Sequence, residues 1–113
     1  MASITLPDNT VIDVELADNH FKRVNGLSGC KEKKSMLFTF PFSFKWGFWM
    51  PFMNFSLSMI YLNKNKEVID ILHAEPMTAN PKTWKIYKPS KACKYVLETP
   101  FEHNIKKGDV LSW

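Results

Sequence analysis

Turn residues punctuate this chain about every ten positions, and the apolar runs between them are too short for helices but the right length for strands. Val11 to Leu16 shows the pattern most clearly. Ile12, Val14 and Leu16 fall on one face and Asp13 and Glu15 on the other, the period of two expected of a half-buried strand. Thr5 to Thr10 reads as a short strand entering a turn, with Pro7, Asp8 and Asn9 supplying the turn chemistry. Met36 to Phe40 is a continuous apolar run stopped by Pro41, the mark of a buried strand. Ser56 to Leu62 and Glu67 to Leu72, joined by the polar Asn63-Lys64-Asn65-Lys66, form a hairpin. Cys93 to Glu98 and Val110 to Trp113 add two more strands, the second following a turn at Lys107-Gly108-Asp109.

Helices have little room. Asp18 or Asn19 can cap one or two turns over His20 to Asn25, closed by Gly26, with Phe21 and Val24 sharing a face. Thr99-Pro100-Phe101-Glu102 has the form of a capping box with proline at the first helical position, so a short helix is expected after it. Pro76, Pro81 and Pro89 break the stretch from His73 to Ser90, which is expected to be a long loop with a short extended piece at Trp84 to Tyr87. The alternation of strand and helix that builds parallel sheets is missing. The expected fold is mainly β: a small antiparallel jelly-roll-like sandwich or barrel with one or two short helices, in a single domain over residues 1–113.

Composition agrees. Hydrophobic residues make up 45% of the chain and aromatic ones 14%, which excludes disorder for most of it. The densest apolar stretch, Gly47 to Met53, is far short of the ~20 residues of a spanning helix. The net charge of +4 is modest, and the one visible cluster, Lys31 to Lys34, reads as a solvated loop. Neither nucleic acid nor membrane is therefore expected as a partner. The first residues carry no positive region followed by an apolar run, so the expected compartment is the cytoplasm. Cys30 and Cys93, far apart in sequence, are expected as free thiols there.

Several segments occur in a telling order: Arg23-Val24-Asn25-Gly26-Leu27, Met36-Leu37-Phe38-Thr39-Phe40, Phe48-Trp49-Met50, Tyr95-Val96-Leu97-Glu98 and Gly108-Asp109. Together they resemble the prokaryotic family known as domain of unknown function 192, over about Val11 to Leu111. The resemblance implies a mostly β domain of jelly-roll or barrel type with one or two short helices, and no established activity. Family members commonly follow Phe-Trp-Met with Lys-Asn-Thr and, a little later, Pro-Leu-Asp. This chain has Pro51-Phe52-Met53 and Ser56-Leu57-Ser58 there, with Ser28 where Met is usual and Ser35 where Gly is usual. The family's polar cluster after the tryptophan is thus largely apolar here.

The candidate chemistry is sparse. His20, His73, His103 and the two cysteines lack metal-ligand spacing, and neither a nucleophile elbow nor a glycine-rich phosphate loop occurs, so no metal, cofactor or catalytic residue is assigned. Cys93 shares the expected inward face of its strand with Tyr95 and Leu97. Glu98 ends an apolar strand. It is either the partner of Arg23 in an ion pair or a carboxyl with a raised pKa that can act as an acid or base. Phe42, Phe44, Trp46 and Phe48 alternate with smaller or polar residues and are expected mostly in the core; with Lys45 they could instead form a stacking platform. Trp49-Met50-Pro51-Phe52-Met53-Asn54 is apolar and irregular, suited to lining a pocket. The expected function is a non-catalytic binding module, a monomer or weak homodimer. It would hold a small molecule or peptide segment against Trp49, Met50, Met53 and Asn54, with Arg23 and Glu98 as polar anchors. A weak hydrolase or isomerase using Glu98 and a histidine, and a single-stranded nucleic-acid binder, are the alternatives.

Overall fold

A computed structural model describes residues 2–19, 22–23 and 26–113. Six strands follow one another: β1 (Ala2–Thr5), β2 (Val11–Ala17), β3 (Ser35–Phe44), β4 (Leu57–Leu62), β5 (Val68–Ala74) and β6 (Cys93–Thr99). They form one sheet in the order β1-β2-β3-β6-β4-β5. Four of the five strand pairs are antiparallel; β2 and β3 run parallel, with Leu16 opposite Leu37. The sheet is therefore mixed where a wholly antiparallel one was expected. The reason is the connection over 18–34, which is long enough to carry the chain back to the start of β2 before β3 begins.

Both edges of the sheet are bound by the C-terminal segment. Thr5 and Ser112 exchange backbone hydrogen bonds of 2.8 and 3.0 Å at the β1 edge, while Leu111 donates to Lys66 (3.0 Å) and Val68 to Asp109 (2.8 Å) beside β5. The same segment thus ties one end of each edge strand and curves the sheet toward a small barrel. Period two then divides the side chains between two cores. Ile4, Val14, Leu37, Ile60, Leu97 and Leu111 point inward. Met36, Phe38, Phe40, Met59, Tyr61 and Val96 point outward and are roofed by the loop of residues 46–55 and the segment of residues 77–87. Phe48 and Tyr87 pair across that roof, with N–H to O distances of 3.0 and 2.7 Å.

The short helices fare differently. Asn19 caps as expected, accepting from Lys22 N at 2.9 Å, and Gly26 takes a left-handed φ of 50°. His20, Phe21, Val24 and Asn25 of that turn lie outside the described residues. No helix follows Thr99. Thr99 belongs to β6, paired with Ser58, and its hydroxyl accepts from Ser35 Oγ at 2.8 Å. It does cap Phe101 N at 3.3 Å, but exposed Phe101 gives a helix there no apolar face to bury. One 3₁₀ turn, Pro81–Thr83, appears instead inside the expected loop, with Asn80 accepting from Lys82 N at 3.0 Å.

The aromatic run also departs from expectation. Phe48 packs against the second core, its ring 4.9 Å from that of Phe38 and tilted 70° to it. Phe42 and Phe44 do not join the core; they are 57% and 56% exposed. Pro41 fails to stop β3, which runs on to Phe44 through a break in its ladder with β6 after Thr39. β2 ends its pairing at Phe38, so the last rings of β3 lie where the strand is paired on one side alone, with Phe44 opposite Cys93.

Candidate functional site

β6 lies between β3 and β4, and Glu98 is placed there beside Met36 on one side and Met59 on the other. Leu97 points into the barrel, so Glu98 points out, into the second core. The residue is 4% exposed, and burial pushes its carboxyl from the ordinary 4.5 up to about 8. Above it a cleft of about 460 Å³ opens between the sheet and the loop of residues 47–53. Phe38 and Phe40 of β3 form one wall, Gly26, Leu27 and Ser28 another, and Trp49, Met50 and Met53 the roof, with Arg23 also on the lining.

The roof is pinned from several sides. Met50 O accepts from Met77 N at 3.0 Å, Pro51 O from Ser28 Oγ at 3.0 Å and Phe52 O from Gly29 N at 2.8 Å. Phe52 sits at the turn of this loop with a left-handed φ of 58° and is 82% exposed. A bulky residue in that region is strained by about 1–3 kcal/mol, and such strain persists only where the surroundings impose it. Here the Gly29 bond and the Ser28 bond impose it. Trp49, also exposed, stands at the mouth, while Met50 is buried at the back.

Of the six residues expected at the site, five line the cleft: Arg23, Trp49, Met50, Met53 and Glu98. Asn54 does not. Its amide donates to Cys30 O at 2.7 Å, so it fastens the end of the roof to the opposite wall and faces away from the cavity. The expected Arg23–Glu98 ion pair is not formed. Arg23 Nη1 donates to Thr39 O at 2.8 Å, where the β3–β6 ladder is interrupted, and the guanidinium lies over the Phe40 ring at 5.7 Å. Glu98 has no ion-pair partner among the described residues.

Sequence reasoning missed Phe38, Phe40 and Leu27 as lining. Their apolar runs read as core, and the part of each that faces the cleft carries no signal of its own. No described histidine lines the cleft. His73 is held by Glu75 at 2.6 Å on the surface, burial pulls the His103 pKa down elsewhere, and His20 lies outside the described residues. Cys93 is buried, which pushes its thiol up to about 11 and keeps it protonated. Tyr61, raised by burial and by its nearness to Glu98, donates to Tyr87 O at 2.8 Å and locks β4 to the roof. The cleft therefore offers apolar and aromatic walls, a cation at one side and, at neutral pH, an uncharged carboxylic acid at its base.

Comparison with known proteins agrees with the fold. The model of the family DUF192, described as "Uncharacterized ACR, COG1430", matches residues 3–113. A UPF0127 protein of Pyrococcus furiosus is 30% identical over 119 residues, covering 100% of this chain and 97% of the relative. Another from Pyrococcus abyssi is 33% identical over 109 residues, covering 88% of this chain and 85% of the relative. The crystal structure of a protein of unknown function from Novosphingobium aromaticivorans superposes with a TM-score of 0.84 at 21% identity, covering 99% of this chain and 84% of that one. A mainly β chain of this strand order, matched along almost its whole length, belongs to the DUF192 family.

Proposed function

We propose that this protein is a binding module for a small, largely apolar molecule held in the cleft over Glu98. The observation that carries this reading is the convergence of Arg23, Trp49, Met50, Met53 and Glu98 on one cavity of about 460 Å³, a volume within the usual range for small-ligand sites of about 300–1,000 Å³. The chemistry narrows the ligand. A protonated carboxyl is one donor and one acceptor side by side, and its natural complement is a primary amide or another neutral acid. The flanking Phe40 ring and the Met50 and Met53 thioethers suit a flat, aromatic body. Nothing in this reading asks for bond making. The carboxyl would need a base or a reacting proton within hydrogen-bond reach to act in catalysis, and no described histidine lines the cavity.

Benzamide is the simplest probe of this class. Titrated into the full chain with ¹³C-labelled methionine methyls, it is expected to shift Met50 and Met53 and to leave Met77, which is not among the lining residues, in place. Glu98→Gln, which keeps a donor and an acceptor, is expected to bind benzamide within a few-fold of the parent. Glu98→Leu, of similar size, is expected to lose roughly tenfold, the value of about one hydrogen bond in a buried site. Equal binding by the Leu variant, or shifts confined to methionines away from the cleft, would refute the assignment.

A further inference from the structure

A second surface lies beside the roof of the cleft, where residues 42–48 and 87–94 run antiparallel, with Phe44 opposite Cys93 and Phe48 opposite Tyr87. The strands approach closely. A Cβ on Gly47 would sit 2.7 Å from Ile86 Cγ2 and 3.0 Å from Lys88 Cγ, so glycine is required for the lysine stem to lie across the ribbon. Two features of the sequence meet here. Neither 33–66 nor 76–97 contains an aspartate or glutamate, so all 11 acidic residues lie elsewhere in the chain. Within the second segment, lysine recurs every third position: Lys82, Lys85, Lys88, Lys91 and Lys94. The lysines are thus less scattered than the net charge alone suggests.

The ribbon joins these charges to exposed rings. Trp46 stacks on Phe40 with centroids 4.4 Å apart and planes 9° apart, and its Nε1 donates to Phe42 O at 3.1 Å. Phe42 and Phe44 lean on Trp46 at 5.1 and 5.2 Å, each with much of its ring open to water. Exposed phenylalanines held in place by a stacked tryptophan can receive a flat partner with little further ordering cost. Lys45, Lys88 and Lys91 are exposed and none of them forms an ion pair among the described residues. Two carboxylates come near. Asp70 accepts from Ser90 N at 3.0 Å and faces Lys107 at 3.5 Å, and Glu75, near Lys85, is engaged by Ser56 and His73. Both are occupied by their own partners.

We propose that this ribbon binds single-stranded nucleic acid, with bases stacked on Phe42 and Phe44 and phosphates set against Lys45, Lys88, Lys91 and Lys94. The charge complementarity is that of a polyanion. Exposed lysines without ion pairs among the described residues, set beside rings held at the end of a strand, fit a partner that carries both phosphates and flat bases better than a lipid surface. Stacking tolerates any base, and release of counterions from the phosphates makes binding depend on salt. This inference takes up the alternative that composition alone disfavoured, and it is independent of the cleft.

Fluorescence anisotropy with a labelled oligo-dT of about 20 nucleotides tests it on the full chain, and neutral and phosphatidylserine-containing vesicles serve as the competing surface. Affinity is expected to fall with salt with a log–log slope of about −3, the value for four phosphates on a single strand. Lys45→Ala/Lys88→Ala/Lys91→Ala is expected to remove about 2 from the magnitude of that slope. Phe42→Ala/Phe44→Ala is expected to weaken binding roughly tenfold or more at fixed salt and leave the slope in place. All five substituted side chains are exposed, and an unchanged far-UV circular dichroism spectrum confirms that the variants fold. Absence of binding at low salt, a flat salt response, binding that ignores both sets of substitutions, or capture by anionic vesicles without capture of the oligonucleotide would each overturn the proposal.

Discussion

Replacing Glu98 by glutamine is expected to stabilise the protein strongly at pH 8.5 and hardly at all at pH 4. Burial raises the Glu98 carboxyl from 4.5 to about 8, so between those values the folded chain keeps a proton that the unfolded chain releases. Stability attached to Glu98 is therefore complete below the unfolded pKa and drains away as pH rises through the folded one. At about 1.4 kcal/mol per pH unit of displacement, the loss is on the order of 4–5 kcal/mol once the group is ionised in both states. Glutamine has the same shape, offers a donor and an acceptor, and has no charge to bury. Urea titrations of the two proteins, subtracted pH by pH, isolate this residue from every other titrating group. The difference should be near zero at pH 4, grow through neutrality and level off near pH 9. A stability loss in the Gln variant at all pH values would mean that the ionised carboxylate is held by a partner and contributes to the fold.

Phe38→Ala is the substitution expected to cost most in the second core. Its ring is fully buried, stands edge-on to Phe48 at 4.9 Å and runs nearly parallel to Phe40 at 6.5 Å. It also forms a wall of the cleft, so the space it vacates would enlarge that cavity. Removing a core phenylalanine costs about 3–5 kcal/mol, which for a chain of this size lowers the Tm by roughly 10–25 °C. Phe42→Ala, one pleat further along the same strand beyond Phe40, is expected to change stability by about 0.5 kcal/mol or less, because its ring stands largely in water. Differential scanning calorimetry on the pair separates the rings that hold the roof down from those that do not. Equal losses from the two would contradict the division of β3 into a buried and an exposed half.

Much of the architecture was legible because it rests on local pattern. Ile12, Val14 and Leu16 gave β2, the Asn63 to Lys66 turn gave the β4–β5 hairpin, and Asn19 and Gly26 marked both ends of the first turn. What local pattern could not carry was the pairing of distant segments. The parallel match of β2 with β3 depends on the course of the chain between them. The capping box at Thr99 was a correct signal for a cap and an incorrect one for a helix, because β6 had already claimed the residue. Alternation at Phe42 to Phe48 announced an extended segment, and β3 carries it as far as Phe44. Whether a sheet lay beside it was decided by where β2 stopped.

The site was legible in a similar measure. Trp49, Met50 and Met53 stand out as an apolar strip without strand periodicity, and Glu98 as a carboxyl at the end of an apolar strand. Both belong to the cleft. Asn54 looked like a polar anchor for a ligand and is an anchor for the loop, a distinction that depends on the Cys30 carbonyl 24 positions away. Arg23 was matched to Glu98 on charge alone. The Thr39 carbonyl, freed by the interruption in β3, is what it meets. The period-three lysines lie in a stretch broken by prolines, where no element periodicity invites a search for one.

The account depends on an uncharged acid beneath an apolar cavity, and the ¹³C carboxyl resonance of Glu98, followed from pH 3 to pH 10 in uniformly labelled protein, tests that most directly. A midpoint near 8 is the expected result. A midpoint near the ordinary 4.5 would show the carboxyl to be in contact with water or a cation, and the site described here would not exist in that form.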